Sequence, residues 1–165
     1  MTASAATEQT IRGWLADVAD PEVPVLNVLD LGIVREVHVG KDGDVHIVIT
    51  PTYSGCPAMD IIAMQIRMVL AGHGIRSVRI DQQLSPAWTT DWMTSEGKKK
   101  LQQYGIAPPQ YSSNRAVGLF EDDSVPCPRC GSTNTQLISQ FGATSCKAQH
   151  RCLSCYEPFE HFKCH

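Results

Sequence analysis

This 165-residue sequence lacks an excess of charge of either sign, and it has almost no cysteine outside one short stretch. Fourteen Lys and Arg stand against seventeen Asp and Glu, a formal net charge of −3. That leaves no basic surplus of the kind that grips a phosphate backbone. Met1–Thr10 contains no Lys, no Arg and no apolar run, so it does not read as a secretory signal or a transit peptide. No stretch approaches the roughly 18 consecutive apolar residues of a membrane span. An H-E-x-x-H pair, a Gly-rich phosphate loop and a Ser–His–Asp set are also missing, so the familiar anchors of enzyme chemistry are not visible. These absences point to a cytoplasmic chain with no membrane segment. Hydrophobic residues at 42% and charged residues at 19% are enough for a buried core and exclude global disorder.

Six of the seven cysteines lie between Cys127 and Cys164. A reducing compartment makes such a cluster a metal site rather than a disulfide knot. Cys127-Pro128-Arg129-Cys130 and Cys152-Leu153-Ser154-Cys155 are two C-x2-C knuckles separated by 21 residues, just past the usual spacing of about 15–20 for zinc. Two such turns supply the four thiolates of a tetrahedral zinc, and a site so closed leaves no position for catalytic water. Gly131 suits the positive backbone angle that often closes a knuckle. The intervening segment reads as a hairpin carrying Leu137, Ile138 and Phe141. This is a zinc-ribbon pattern with a structural metal, an iron–sulfur or mobile metal site being the alternative. Cys146 and Cys164 are extra thiols and His150, His161 and His165 extra imidazoles; a second metal, a redox pair or plain buried thiols all remain open. From Cys127 onward Arg129, Lys147, Arg151 and Lys163 face Glu157 and Glu160. A zinc tetrathiolate cancels that small excess, so no nucleic-acid footprint appears.

The first two-thirds alternates helical and strand patterns. Ile11, Trp14, Leu15 and Val18 form one stripe of a helix over 7–19, stopped by Asp20-Pro21-Glu22. Residues 33–39 and 45–49 read as a hairpin with one buried face, on which Ile33, Arg35, Val37 and Val39 share a side. Met59, Ile62, Ile66, Val69 and Leu70 mark a helix over 58–71, and Ile75, Val78 and Ile80 a third strand running toward Leu84. The implied fold is α+β: a small α/β layer, a mixed sheet with helices packed on one face, followed by a small zinc ribbon. A short helix over 95–104, capped by Ser95, precedes Pro108 and Pro109. The expected division is a first domain over 1–107, a linker over 108–125 and the ribbon over 126–165.

Cys56 is the solitary thiol. It precedes Pro57, a residue favoured at the first helical position, so the spacing predicts Cys56 at the N-cap with a lowered pKa. Gly55 lets the loop turn close to whatever meets the sulfur. An inert, shielded cap cysteine is the competing reading. Asp20, Glu22, Asp30, Thr50, Thr52 and Ser54 are the polar candidates at neighbouring loop ends, and no base is placed beside the thiol by spacing.

Asp20-Pro21-Glu22-Val23-Pro24, Asp30-Leu31-Gly32-Ile33-Val34, and Thr50-Pro51-Thr52 running into Gly55-Cys56-Pro57 resemble the SufT-type iron–sulfur assembly domain. The segment 85–92, Tyr104-Gly105-Ile106-Ala107-Pro108-Pro109, the motif 141–148 and both knuckles are similar to the PaaD family of phenylacetate degradation. The resemblance runs from about Ile11 to His165. It implies a non-catalytic cytoplasmic accessory protein of the multicomponent phenylacetyl-CoA epoxidase, which epoxidises the ring of the coenzyme A thioester at its 1,2 position. The implied partners are that system's reductase and oxygenase components and the general iron–sulfur assembly machinery, with neither nucleic acid nor membrane. The implied cofactors are a structural zinc and a transient iron or iron–sulfur cluster. Within the family, the cysteine matching Cys56 is tied to iron–sulfur work, Asp20 and Glu22 belong to its acidic turn, and Thr50 and Thr52 match the motif. An adaptor subunit without metal transfer is the alternative, with Trp88, Trp92 and the zinc-stapled tail as contact surfaces.

Overall fold

The computed structural model describes residues 6–110 and 124–163, and the chain divides into two units, 1–88 and 89–165. In the first unit, α1 (Glu8–Leu15) starts at Thr7, whose hydroxyl accepts from the Thr10 N–H at 3.2 Å, an N-cap. Ile11 and Leu15 are buried. The helix stops four residues before its predicted end because the backbone there is used differently. Ala19 bridges Asn27, and Asp20 N–H donates to Leu26 O at 2.8 Å. Val18 is buried all the same, from the turn, while Trp14 stacks flat on His73 with ring centroids 4.0 Å apart.

β1 (Val34–Val39) and β2 (Val45–Ile49) form the expected hairpin, and α2 (Ala58–Gly72) leads to β3 (Val78–Gln82), which lies parallel to β2. The sheet is therefore mixed, in the order β1-β2-β3. α1 and α2 pack on each other and on this sheet. Val37, Val45, Ile47 and Ile49 of the sheet and Ile62, Ile66 and Leu70 of α2 are buried, an apolar set worth roughly 25 cal/mol per Å2 removed from water. A bulge between Val34 and Glu36 resets the alternation. Arg35, expected on the buried side, is exposed, because an extra bulge residue rotates the following side chains. β3 ends at Gln82, and Leu84 lies exposed beyond it.

In the second unit α3 (Ser95–Tyr104) is capped by Thr94, whose hydroxyl accepts from Gly97 N–H at 2.9 Å, and not by Ser95, which is already helical. Four strands follow in the order β4-β7-β6-β5: β4 (Ile106–Ala107), β5 (Thr135–Ser139), β6 (Lys147–Cys152) and β7 (Pro158–Phe162). β4 lies parallel to β7, pairing Ile106 with Glu160 and Ala107 with His161. This moves the expected boundary. Residues 89–107, placed in the first domain by sequence, belong with the ribbon because β4 is one of its strands. Most of the expected linker, residues 111–123, lies outside the described residues. Around the cysteines this unit buries a cluster of Ala107, Val125, Cys127, Cys152 and Phe159, with Cys155 against it, and Leu101, Ile106 and Phe162 are buried as well. Leu137, Ile138 and Phe141 of the predicted hairpin are exposed.

Candidate functional site

The loop from Thr50 to Pro57 carries Cys56 to the start of α2. Thr50 is buried and its N–H donates to Ile33 O at 2.8 Å, which ties the end of β2 to the segment before β1. Cys56 N–H donates to Tyr53 O at 3.2 Å, making a tight turn. Gly55 sits at φ +76°, where a Cβ would meet nothing within 4 Å. The left-handed backbone, and not a close approach, is what calls for glycine there. Cys56 itself is half-buried.

The acidic turn is built by its own backbone. Asp20 Oδ1 accepts from Glu22 N–H at 2.8 Å and Val23 N–H at 2.7 Å, an Asx-type turn. Asp30 is held in a second one: its Oδ2 accepts from Asn27 N–H at 3.1 Å, while Asn27 Oδ1 accepts from Leu29 and Asp30 N–H. Trp88, a contact surface in the adaptor alternative and otherwise read as core packing, is 4% exposed and donates its indole N–H to Leu31 O at 2.8 Å. It is a strut for the Asp30-Leu31-Gly32 segment.

The structure brings Cys56, Asp20 and Glu22 close enough to interact, and corrects the expected acidity of the thiol. The N-cap of α2 is Pro57, one residue later than expected. The thiol is pushed above its ordinary pKa by burial first, with the negative charges of Glu22 and Asp20 adding to the rise. A hydrogen bond from the Ala58 N–H and one from the Tyr53 hydroxyl favour the thiolate without overcoming this. Burial and like charge disfavour an anion here more than the helix end favours it. Tyr53 is the residue that sequence reasoning passed over. Its place three residues before Cys56 in a turn was the available signal.

In the second unit the Sγ atoms of Cys127, Cys130, Cys152 and Cys155 lie within 4.8 Å of one another, a group that could hold a metal ion. Cys127 and Cys155 are 3.8 Å apart, and Cys130 and Cys152 are 3.6 Å apart. Tetrahedral zinc with bonds of about 2.3 Å requires sulfur–sulfur edges of about 3.8 Å, so the four fit that ion. Gly131 N–H donates to Cys127 O, and Cys152 Sγ accepts from the N–H groups of Cys155 and Ser154 at 3.4 Å each. These N–H groups, Cys155 first, draw the Cys152 thiol down to about 6. Cys155 accepts from the Glu157 N–H, yet burial and its three sulfur neighbours push it up to about 12. Cys130 accepts from the Ser132 N–H, which favours its thiolate, yet the Cys152 sulfur and burial likewise hold it above the ordinary thiol range; a divalent ion removes that conflict. Cys146 is buried with its Sγ 3.0 Å from Thr144 Oγ1 and is not part of the group. The rings of His150 and His161 meet edge to face at 5.5 Å, also outside it. Cys164 and His165 lie outside the described residues. No helix among the described residues is long and apolar enough to cross a membrane.

A mixed α/β unit with a loop cysteine beside an acidic turn, followed by a four-cysteine ribbon, defines an iron–sulfur assembly domain joined to a zinc ribbon. Two family models match the two units. The family described as "Iron-sulfur cluster assembly protein" matches residues 8–81, and "PaaD zinc beta ribbon domain" matches residues 112–163. A protein of Escherichia coli K12, described as one component of a "Putative 1,2-phenylacetyl-CoA epoxidase", is 48% identical over 164 residues, covering 98% of this chain and 97% of its own. An "Fe-S protein maturation auxiliary factor" of Porphyromonas gingivalis is 43% identical over 96 residues, 58% of this chain and 90% of its own. Among solved structures, a domain of unknown function from Bacillus anthracis superposes with a TM-score of 0.54 at 25% identity, over 57% of this chain and 90% of that one. The chain belongs to the PaaD family, and its second unit is a ribbon built for structural zinc.

Proposed function

We propose that this protein is a cytoplasmic accessory maturation factor of the phenylacetyl-CoA epoxidase system, without catalytic turnover of its own. It assists iron or iron–sulfur cluster assembly in the reductase or oxygenase component, drawing on the general assembly machinery. Cys56, Asp20 and Glu22 receive the iron cargo, and Cys127, Cys130, Cys152 and Cys155 hold zinc.

The observation that carries this reading is the electrostatic setting of Cys56. Burial first, and then the charges of Glu22 and Asp20, raise the pKa of the half-buried thiol, which is the wrong direction for a nucleophile at neutral pH. It is the right direction for a cation site. A metal is attracted by the acidic turn, displaces the thiol proton and takes the sulfur as ligand. The Tyr53 and Ala58 donors stay available to the resulting thiolate. The named maturation factors among its relatives support the same reading.

The test is co-expression of the reductase with this protein, wild type or Cys56→Ala, followed by iron and sulfide counts on the purified reductase. Lower cluster occupancy with the variant is expected; equal occupancy would overturn the proposal. A second reading, an adaptor without metal transfer, is favoured by the exposed Leu137, Ile138 and Phe141 on the β5–β6 hairpin. It would be supported if co-purification with the epoxidase components survives Cys56→Ala while cluster loading does not change.

A further inference from the structure

α2 is apolar on two sides, and the first unit buries only one of them. Ala58, Met59, Ile62, Ile66 and Leu70 are buried along one side. Ile61, Met64 and Met68 line the opposite side and are 43%, 53% and 64% exposed. Their spacing, three residues and then four, is that of the seam between two packed helices. A helix that is apolar on both sides has a second face to bury, and here that face is open.

The charges beside the seam indicate what meets it. Asp60 and Arg67 are exposed, and neither makes an ion pair among the described residues. Because they are seven residues apart, they lie within about 20° of each other around the helix axis, on one flank of the seam, and about 10 Å apart along it. Met64 stands between them, four residues after Asp60 and three before Arg67. When a second α2 packs antiparallel about a twofold axis at Met64, Asp60 of each copy comes level with Arg67 of the other, to within about 1.5 Å along the helix. Two ion pairs then close the same interface, at the flanking positions where paired helices carry them. A parallel arrangement sets Asp60 against Asp60 and Arg67 against Arg67, which like charges oppose.

We propose that this face of α2 is the interface of a homodimer, in which two copies of the chain pack α2 antiparallel and their Met64 side chains meet on the twofold axis. Such an isologous contact uses one self-complementary patch twice. A single helix pair is small for a permanent interface, so the dimer is a reversible one. Cys56 lies eight residues before Met64, which sets the two thiols more than about 20 Å apart, at opposite ends of the pair. Each copy therefore keeps its own Cys56 site, and the two thiols do not share an ion.

The experiment is sedimentation velocity on the zinc-loaded full chain under reducing conditions, from micromolar to near-millimolar concentration. The mass is expected to rise from that of one chain toward that of two. Met64→Glu, which places two like charges on the twofold axis, should weaken dimerisation at least about tenfold. Asp60→Arg and Arg67→Asp should each weaken it severalfold. The double variant Asp60→Arg/Arg67→Asp should restore it, because both ion pairs re-form with reversed polarity. Cys56→Ala should dimerise as the parent does, so the result is independent of the cargo assigned to that thiol. Zinc content and circular dichroism, unchanged throughout, serve as the folding controls. A chain that stays monomeric over the whole range overturns the proposal. So does a dimer indifferent to Met64→Glu, which would place the contact elsewhere, or a double variant no tighter than the single ones, which would remove the antiparallel register.

Discussion

Gly131 and Tyr156 occupy the same place in the two zinc knuckles. Each directly follows the second cysteine of its C-x2-C pair, and each is left-handed, at φ 74° and 64°. The turn geometry that points two sulfurs at one ion demands this conformation twice. Glycine meets it without penalty at the first knuckle; at the second a tyrosine holds it, where an L side chain costs roughly 1–2 kcal/mol. Tyr156 regains part of this through the Arg151 guanidinium 5.8 Å from its ring centroid, worth about 0.5–1 kcal/mol at an exposed site. Tyr156→Gly should therefore stabilise the ribbon by about 0.5–1 kcal/mol, and Gly131→Ala should destabilise it by about 1–2 kcal/mol. Zinc release to a competing chelator, slower in the first variant and faster in the second, measures both.

Zinc removal should unfold one unit and spare the other. Cys127 and Cys152 are 2% and 0% exposed and are themselves core residues of the second unit. The first unit rests on its own apolar core. Chelation under reducing conditions is expected to collapse amide dispersion for β5–β7 while β1–β3 keep theirs. Hydrogen exchange read by NMR decides it; uniform loss across both units would contradict it.

The Lys147–Glu160 pair is the buried charge of the ribbon. Their atoms lie 2.9 Å apart, and the lysine side chain is 5% exposed. Although burial opposes its charge, Lys147 and then the Ala143 N–H hold the Glu160 carboxyl below the usual carboxylate range. Glu160→Gln would leave the ammonium buried without its counter-charge, at a cost of about 3 kcal/mol or more. The double change Lys147→Met with Glu160→Gln should recover much of that. Denaturant unfolding of the three variants provides the comparison.

His161 sets an acid limit on the ribbon. Burial first, then the charges of His150 and Lys163, bring its pKa down to about 4 from an ordinary 6.5, and its Nε2 has no hydrogen-bond partner. The unfolded chain takes up this proton before the folded one does. The contribution is complete above pH 6.5 and is lost progressively as pH falls toward 4, on the order of 3 kcal/mol in all. Stability of the wild type minus that of His161→Phe, measured from about pH 7.5 down to about 4, should decline through that window. A flat difference would show that His161 is not held neutral.

Glu22→Gln should lower the Cys56 pKa, because it removes one of the two charges opposing the thiolate. The pH profile of alkylation by iodoacetamide would move to lower pH in the variant. Asp20→Ala should act differently. It removes the acceptor of two backbone hydrogen bonds, so a stability loss of about 1–3 kcal/mol accompanies any change in the thiol.

Local chemistry made much of this legible in advance. The C-x2-C spacing located all four sulfurs that converge in the ribbon, because two intervening residues leave a knuckle little choice of geometry. The stripe Met59, Ile62, Ile66 and Leu70 located α2 to within a residue, since an apolar face at helical spacing has one way to be buried. Exposed apolar residues were harder to read. Leu137, Ile138 and Phe141, read from the sequence only as part of a hairpin, are surface, and the pattern of that segment carried no signal of which side faces the core.

The sequence by itself located the two C-x2-C knuckles, most of the helix and hairpin positions, the acidic turn and the family, all of which rest on local patterns along the chain. Tertiary structure alone decided the rest. It moved residues 89–107 into the ribbon through a two-residue strand, exposed Arg35 through a bulge, and decided between the two readings of Trp88 by burying it against Leu31 O. It also reversed the expected acidity of Cys56. A pKa answers to burial and to charges that arrive from distant parts of the chain, and no spacing rule along the sequence carries that information.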